Sequence, residues 1–127
     1  MAYGGQGLAY CESHHSLFLG GHPYGQGIVD LNMPEFVKST NVDELKTAAV
    51  RQTMRDSTNG DYLKVTVQPT IDTVLTGGLL ASGDELLHAC YVYYDSNNWQ
   101  VTSHFRGPLD LTQPRVGPFR IGTGKMG

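Results

Sequence analysis

The segment around Asp95-Ser96-Asn97-Asn98 constrains the fold of this 127-residue chain more than any other. These turn-forming residues separate two runs rich in aromatic and β-branched side chains, a pattern that favours a β-hairpin over Leu86–Phe105. A loop of two or four residues gives one register, with the pairs Tyr94–Trp99, Val92–Val101, Cys90–Ser103 and His88–Phe105. Because side chains alternate along a strand, these eight residues share one face and His104 lies on the other. His88 and His104 therefore cannot bind one metal ion together.

The first 37 residues have an unusual composition. They hold seven of the 16 glycines, no lysine or arginine, and a net charge of -3. Glycines at this frequency disfavour a long helix. Ordering about 30 such residues costs on the order of 30–60 kcal/mol, and offsetting the lower figure takes roughly 1,200 Å² of buried apolar surface. Since a small body cannot easily supply that area, residues 1–37 are predicted to be an extended arm that lies along another molecule.

Residues 38–106 have the patterning of a folded body. Asn41 and Glu44 have the spacing of a capping box, which predicts one short helix that Ser57-Thr58-Asn59-Gly60 ends. Strands are predicted at Tyr62–Gln68, where apolar and polar residues alternate, and at Thr70–Leu75. Ser82 and Glu85 could also cap a helix, but the run from Tyr91 to Tyr94 favours a strand. The predicted fold class is mainly β (α+β), a small antiparallel β-sheet domain with one short helix.

Residues 107–127 are predicted to be an extended tail rich in proline and glycine. Pro108, Pro114 and Pro118 interrupt it, and residues 104–127 carry a net charge of +3. The predicted organisation is therefore an arm (1–37), a compact β domain (38–106) and a tail (107–127). An arm of charge -3 and a tail of charge +3 on one chain predict that each contacts the other on a neighbouring molecule.

Composition and charge exclude several classes of protein. No apolar run approaches the 18 residues of a membrane-spanning helix. The overall net charge of -3 gives no strong nucleic-acid signal, although Arg106, Arg115, Arg120 and Lys125 could contact phosphate. The first residues lack the charged start and apolar core of a signal peptide, so synthesis in the cytoplasm is expected. Two cysteines are too few for a disulfide framework, and free thiols are expected.

One cluster could bind a metal ion. Thiolate and imidazole are zinc ligands, and residues of these types stand close together at Cys11, His14, His15 and His22. A second cysteine pair is missing and the glycines around the cluster leave its geometry unset. A small β domain that binds a metal ion or small ligand through these four residues is therefore the alternative function.

No sequence signature of catalysis is present. The G-x-S-x-G motif and the cysteine and histidine patterns of nucleophilic enzymes do not occur. Asp84 and Glu85 are adjacent, and adjacent carboxylates on a turn or strand point apart. The sequence predicts a protein that is not an enzyme and needs no cofactor. An enzyme subunit completed by a partner has no supporting group of residues.

The glycine-rich Met1–Asp30, the small β body and the proline-punctuated Gly107–Gly127 together resemble the small virion proteins of tailed bacteriophages, such as head-decoration (cement) or tail-assembly subunits. The resemblance implies a non-enzymatic homo-oligomer in the virion, assembled in the host cytoplasm. Its partners would be copies of itself or other capsid or tail proteins, clamped by the arm and tail. The interface candidates are Tyr3, Tyr10, Leu17, Phe18, Leu19, Tyr24, Ile28, Arg115, Phe119 and Arg120.

Overall fold

Eight strands form two four-stranded antiparallel sheets in the computed structural model, which describes residues 7–22, 25, 27–68 and 74–122. In sheet A the strands follow one another as β1 (Leu8–Cys11), β2 (Ser16–Gly20), β3 (Gly27–Asn32) and β4 (Ala49–Asp56). Sheet B has the same order, with β5 (Val74–Ser82), β6 (Glu85–Val92), β7 (His104–Pro108) and β8 (Val116–Phe119). The predicted antiparallel, mainly β fold is confirmed.

The core has two parts. The first joins the sheets: Phe18 and Ile28 of sheet A pack in one cluster with Leu86 of sheet B and with Leu109 and Leu111. The second lies against sheet B and contains Val65, Val74, Cys90, Val92 and Phe105. Directly before β1, Gly7 lies close to β5, and a Cβ atom there would lie 2.4 Å from the Gly77 carbonyl oxygen. This approach of β1 to β5 therefore requires glycine.

The prediction of an extended N-terminal arm is wrong for the described residues. Residues 8–11, 16–20 and 27–32 form the first three strands of sheet A. Phe18 and Ile28 are fully buried in the shared core, so the chain itself supplies the burial that holds this segment. The described glycines of the segment lie in, or next to, strand ends and turns, where they permit short strands and exclude only helix.

The predicted helix after Asn41 is also wrong. Asn41 caps as expected, since its Oδ1 accepts a hydrogen bond from the Asp43 amide at 3.1 Å, but only a 3-10 turn over Val42–Glu44 follows. Its apolar residues have nothing to pack on, because Val42 and Leu45 are exposed, and an isolated helical turn does not propagate without packing. The residues expected to continue the helix instead form β4, which pairs with β3.

The strand predicted at Tyr62–Gln68 is a 3-10 helix over Asp61–Val65. Side-chain caps explain the difference: the Asp56 carboxylate accepts hydrogen bonds from the amides of Thr58 and Gly60, and the Thr58 hydroxyl oxygen accepts one from the Tyr62 amide. Most of the strand predicted at Thr70–Leu75 lies outside the described residues, and Val74 begins β5.

The predicted hairpin register is confirmed where β6 and β7 pair. His88 lies opposite Phe105, and the Cys90 amide donates to the Ser103 carbonyl at 2.7 Å. Beyond Cys90 the second predicted run leaves the sheet. There the Gln100 side chain takes the place of a backbone partner, accepting from the Val92 amide at 3.1 Å and donating to the Cys90 carbonyl at 3.4 Å.

Replacing Gln100 with leucine should lower the free energy of unfolding by about 2 kcal/mol, because it leaves buried backbone groups at Val92 and Cys90 without their partner. Urea unfolding monitored by circular dichroism measures the change. The matched substitution Gln68→Leu, at an exposed position, should change the free energy little. Equal effects of the two substitutions would show that Gln100 does not close the sheet.

The predicted tail is partly folded into sheet B. Residues 107 and 108 complete β7, and Val116–Phe119 forms β8 at the edge of sheet B. Among the described residues, no helix is long and apolar enough to cross a membrane.

Candidate functional site: the exposed apolar surfaces

The predicted metal ligands are not gathered into a metal site. Cys11 is buried, with its Sγ atom 3.4 Å from the Ser13 hydroxyl, and the His15 Nδ1 atom lies 3.1 Å from the Tyr10 hydroxyl. Among the described residues, which include Cys11, His14, His15 and His22, no three His, Cys, Asp or Glu side chains are close enough to hold one ion. The geometry adds no support to the metal-binding alternative.

A serine and a histidine do come together, at Ser57 and His88. The Ser57 Oγ and His88 Nε2 atoms are 3.2 Å apart, within reach of a nucleophile and its base. However, these residues are 2% and 1% exposed, respectively, so a substrate could not reach either side chain in this conformation. The nearby Asp56 carboxylate is bonded to Thr58 and Gly60. We therefore interpret the pair as part of the core.

His88 packs flat against Phe105, with ring centroids 4.9 Å apart. Burial, assisted by the positive charge of Arg115, lowers the pKa of His88 from 6.5 to about 4, while Asp56 opposes the shift and His104 adds slightly to it. Burial also raises the pKa of the Cys90 thiol to about 12, and Asp56 adds to that increase against a hydrogen bond from Thr76. Both groups are therefore uncharged near neutral pH.

Gln52 connects sheet A to the chain that follows β7. Its Nε2 atom donates to the Asp30 carboxylate at 2.8 Å and to the Leu109 carbonyl at 3.0 Å, and its Oε1 atom accepts from the Leu111 amide at 2.8 Å. Asp30 is fully buried, and Arg51 lies 3.6 Å from the same carboxylate. These contacts stabilise a buried charge and position the loop, so we assign this cluster a structural role.

The outer face of sheet A is unusually apolar. Two rows of side chains cross it, one with Leu8, Leu19 and Val29 in register, and one with Tyr10, Leu17, Leu31 and Val50. None of the seven is charged. Leu8 is 57% exposed, Tyr10 49% and Val50 59%. An antiparallel sheet with one face in water normally carries polar residues there, so this face has the composition of one that is covered.

The predicted interface residues separate into distinct groups. Tyr10, Leu17 and Leu19 lie on the outer face of sheet A. Phe18 and Ile28 are fully buried in the core, so their prediction as interface residues is wrong, because alternation turns them inward. Tyr3 and Tyr24 lie outside the described residues.

The remaining predicted interface residues are on sheet B or beside it. Phe119 is 40% exposed at the end of β8, and Arg120 follows it at an exposed position. Arg115 is half-buried against Gly107, and its Nη1 atom donates to the Pro108 carbonyl. Burial lowers the pKa of Arg115, and Asp110 opposes the change. Arg115 therefore contributes to packing as well as to surface charge.

A second exposed apolar surface lies between β3 and β4, on residues 33–48, which we call the connection. Sequence reasoning did not select it. Apart from the 3-10 turn it has no regular structure, and Phe36 is 80% exposed, Val42 76% and Leu45 48%. Connections of more than about 12–15 residues without secondary structure are uncommon, and they are usually either functional or linker segments. The signal in the sequence was the presence of the apolar residues Val42 and Leu45 beside Asp43 and Glu44.

A groove of about 320 Å³ lies on sheet B. Leu80 and Leu87 face each other across β5 and β6, and Ala89 and His104 do so across β6 and β7. Arg106 stands opposite Leu87, with its guanidinium 3.8 Å from the Glu85 carboxylate. The groove is thus an apolar surface with a cation at its rim.

Comparison with known proteins gives no match: no protein-family model, curated protein or solved structure is similar to this chain.

Proposed function

We propose that this chain is a non-enzymatic structural protein that assembles with copies of itself, and that the outer face of sheet A is buried in the assembly. The observation that carries the proposal is the composition of that face: seven uncharged apolar or aromatic side chains in two cross-strand rows. Leu8, Tyr10 and Val50 are exposed, Val29 is buried, and the other three are half-buried. Large contiguous apolar patches on a protein surface mark interaction sites.

The inner side of the same sheet supports this interpretation. Phe18 and Ile28 point into the core, beside the buried polar residues Ser16 and Asp30. The inner face of sheet A is therefore covered by the chain itself, while the outer face lacks the polar residues that an antiparallel sheet normally presents to water. Since the described residues of this chain leave Leu8, Tyr10 and Val50 exposed, another molecule is the cover that we propose.

A virion of a tailed bacteriophage is the assembly that we propose, because the composition of the chain resembles that of small head-decoration and tail-assembly proteins. The segment predicted to be an extended arm contributes Leu8–Cys11, Ser16–Gly20 and Gly27–Asn32 to sheet A instead. The exposed connection between β3 and β4 now takes the place of the arm as the extended apolar segment available to a neighbour. The proposed role is to hold copies of the chain, and other particle proteins, together.

Replacing Tyr10 and Val50 with lysine should shift the protein towards smaller species, because each lysine places a charge in an interface that excludes water. The pair lies at opposite ends of one row and is exposed in the single chain, so the fold should survive. Light scattering coupled to size exclusion measures the mass against the 13.9 kDa of one chain.

The control for this experiment is Val67→Lys, which changes an equally exposed valine that lies outside sheet A. It should leave the mass unchanged. A wild-type chain that stays at 13.9 kDa at every concentration would overturn the proposal of self-assembly. An unchanged oligomer in the Tyr10→Lys/Val50→Lys variant would show that the outer face of sheet A is not the interface.

A further inference from the structure

The 3-10 turn in the connection presents two apolar side chains together with two carboxylates. The Leu45 amide donates to the Val42 carbonyl at 3.1 Å, which closes the turn. In 3-10 geometry, side chains three residues apart lie above one another, so Val42 and Leu45 share one side. Asp43 and Glu44 stand between them in the sequence and are exposed. We call Val42–Leu45 the acidic turn.

The groove on sheet B is apolar and has a guanidinium at its rim, so it can accept the apolar side chains and a carboxylate of the acidic turn. Its walls are the apolar side chains of Leu80, Leu87 and Ala89, and Leu80 is 58% exposed. The Arg106 guanidinium at the rim is about half exposed and has the Glu85 carboxylate 3.8 Å away. Because that ion pair is long and open to water, it contributes little, and Arg106 can meet another carboxylate.

We propose that the acidic turn of one copy docks in the sheet B groove of a second copy. Val42 and Leu45 then cover Leu80 and Leu87, while Asp43 or Glu44 pairs with Arg106. This inference rests on the proposed self-assembly and names a pair of surfaces that carry it. It is separate from the outer face of sheet A, so either interface can be tested without the other.

The second copy is the occupant because one chain leaves both surfaces uncovered. Val42 and Leu45 are exposed in the same structure in which Leu80 is exposed, so the turn does not sit in its own groove. The turn carries two carboxylates, and either can replace Glu85 as the partner of the Arg106 guanidinium at the rim, which favours this partner and sets its orientation. In the proposed contact each copy gives its turn to one neighbour and its groove to another, so the contact is head-to-tail. Such contacts continue from copy to copy until they close a ring or extend a filament.

Two variants test the contact, both built on the Tyr10→Lys/Val50→Lys chain so that the outer face of sheet A does not contribute. The turn variant carries Val42→Asp and Leu45→Asp, and the groove variant carries Leu80→Asp. All these positions are exposed, and thermal unfolding checks that the fold is kept. A charge placed in an apolar contact should weaken association about tenfold or more.

Mixing the two variants gives the decisive measurement. Each variant alone should be a monomer, since the groove variant retains only its turn and the turn variant only its groove. An equal mixture should form a species of two chains and stop there, because the remaining turn and groove are both disabled. The parent chain, with both surfaces intact, should form larger species. Light scattering distinguishes the three cases.

The matched control is Val67→Asp on the same parent chain, which adds the same charge at an exposed valine elsewhere and should leave the parent's mass unchanged. A mixture that remains monomeric overturns the head-to-tail contact. So does a turn variant, or a groove variant, that retains the mass of the parent. If the wild-type chain assembles while this parent is a monomer, the docking inference fails and the proposed function stands. If the wild-type chain is itself a monomer, both fail.

Discussion

Replacing Gln52 with leucine should lower the free energy of unfolding by at least about 3 kcal/mol, because three buried groups each lose a hydrogen bond at about 1–3 kcal/mol. The three are the Asp30 carboxylate, the Leu109 carbonyl and the Leu111 amide. The Asp30 carboxylate should account for the largest part of this loss. Asp30 has no exposed surface and, among the described residues, its Oδ1 atom has no partner. Denaturant unfolding, followed by circular dichroism, measures the loss.

Two controls separate the buried charge from the loss of packing. Gln113→Leu changes an exposed glutamine of the loop that contains Leu109 and Leu111, and it should change the free energy of unfolding little. In the double variant Asp30→Asn/Gln52→Leu, the loss caused by Gln52→Leu should be smaller than in the wild-type background, because no charge is left to be stabilised. A loss below about 1 kcal/mol for Gln52→Leu, the size of one ordinary hydrogen bond, would refute the role assigned to Gln52.

Lowering the pH from about 6.5 to about 4 should cost about 3 kcal/mol of stability through His88 alone, since each tenfold change in proton affinity corresponds to about 1.4 kcal/mol. The pKa of His88 is about 4 in the folded protein and 6.5 when burial is absent. Between these values the unfolded chain binds more protons, so the free energy of unfolding rises with pH. The contribution is complete above pH 6.5 and is lost as the pH falls towards 4.

The comparison that isolates this contribution is the wild-type protein against His88→Gln. Glutamine can still bond to the Ser57 hydroxyl but does not titrate, so the variant should lose the slope between pH 4 and 6.5 that belongs to His88. His104→Gln, on the opposite face of the same hairpin, should retain the slope. Chemical unfolding at a series of pH values measures all three proteins. Parallel profiles for the wild type and His88→Gln would contradict the assigned burial.

The hairpin shows what sequence patterns can predict in this chain. Strand propensity and alternation act over a few residues, so the pairing of His88 with Phe105 could be read from the sequence. The role of Gln100 could not be predicted from the sequence, because its hydrogen bonds to Val92 and Cys90 depend on where the chain turns after residue 92. The run that follows the Asp95–Asn98 turn has the composition of a strand but leaves the sheet beyond Cys90. There the Gln100 side chain takes the place of backbone partners for β6.

The candidate site was predicted only in part, for the same reason. Tyr10, Leu17 and Leu19 were selected as exposed contacts, and they lie on the outer face of sheet A. Phe18 and Ile28 were selected with them, although both are fully buried in the core. Composition cannot separate these two groups, because both are apolar; the register of β1, β2 and β3 separates them.

The sequence by itself determined that this chain forms antiparallel β-structure, because turn residues and β-branched or aromatic runs act locally. It also located the cap at Asn41. The tertiary structure alone decided that residues 8–11, 16–20 and 27–32 form strands of sheet A and that residues 49–56 form a strand. Both outcomes depend on burial against distant parts of the chain, such as Phe18 and Ile28 against Leu86. The apolar residues of the connection remain exposed and form no strand, because no distant segment among the described residues covers them.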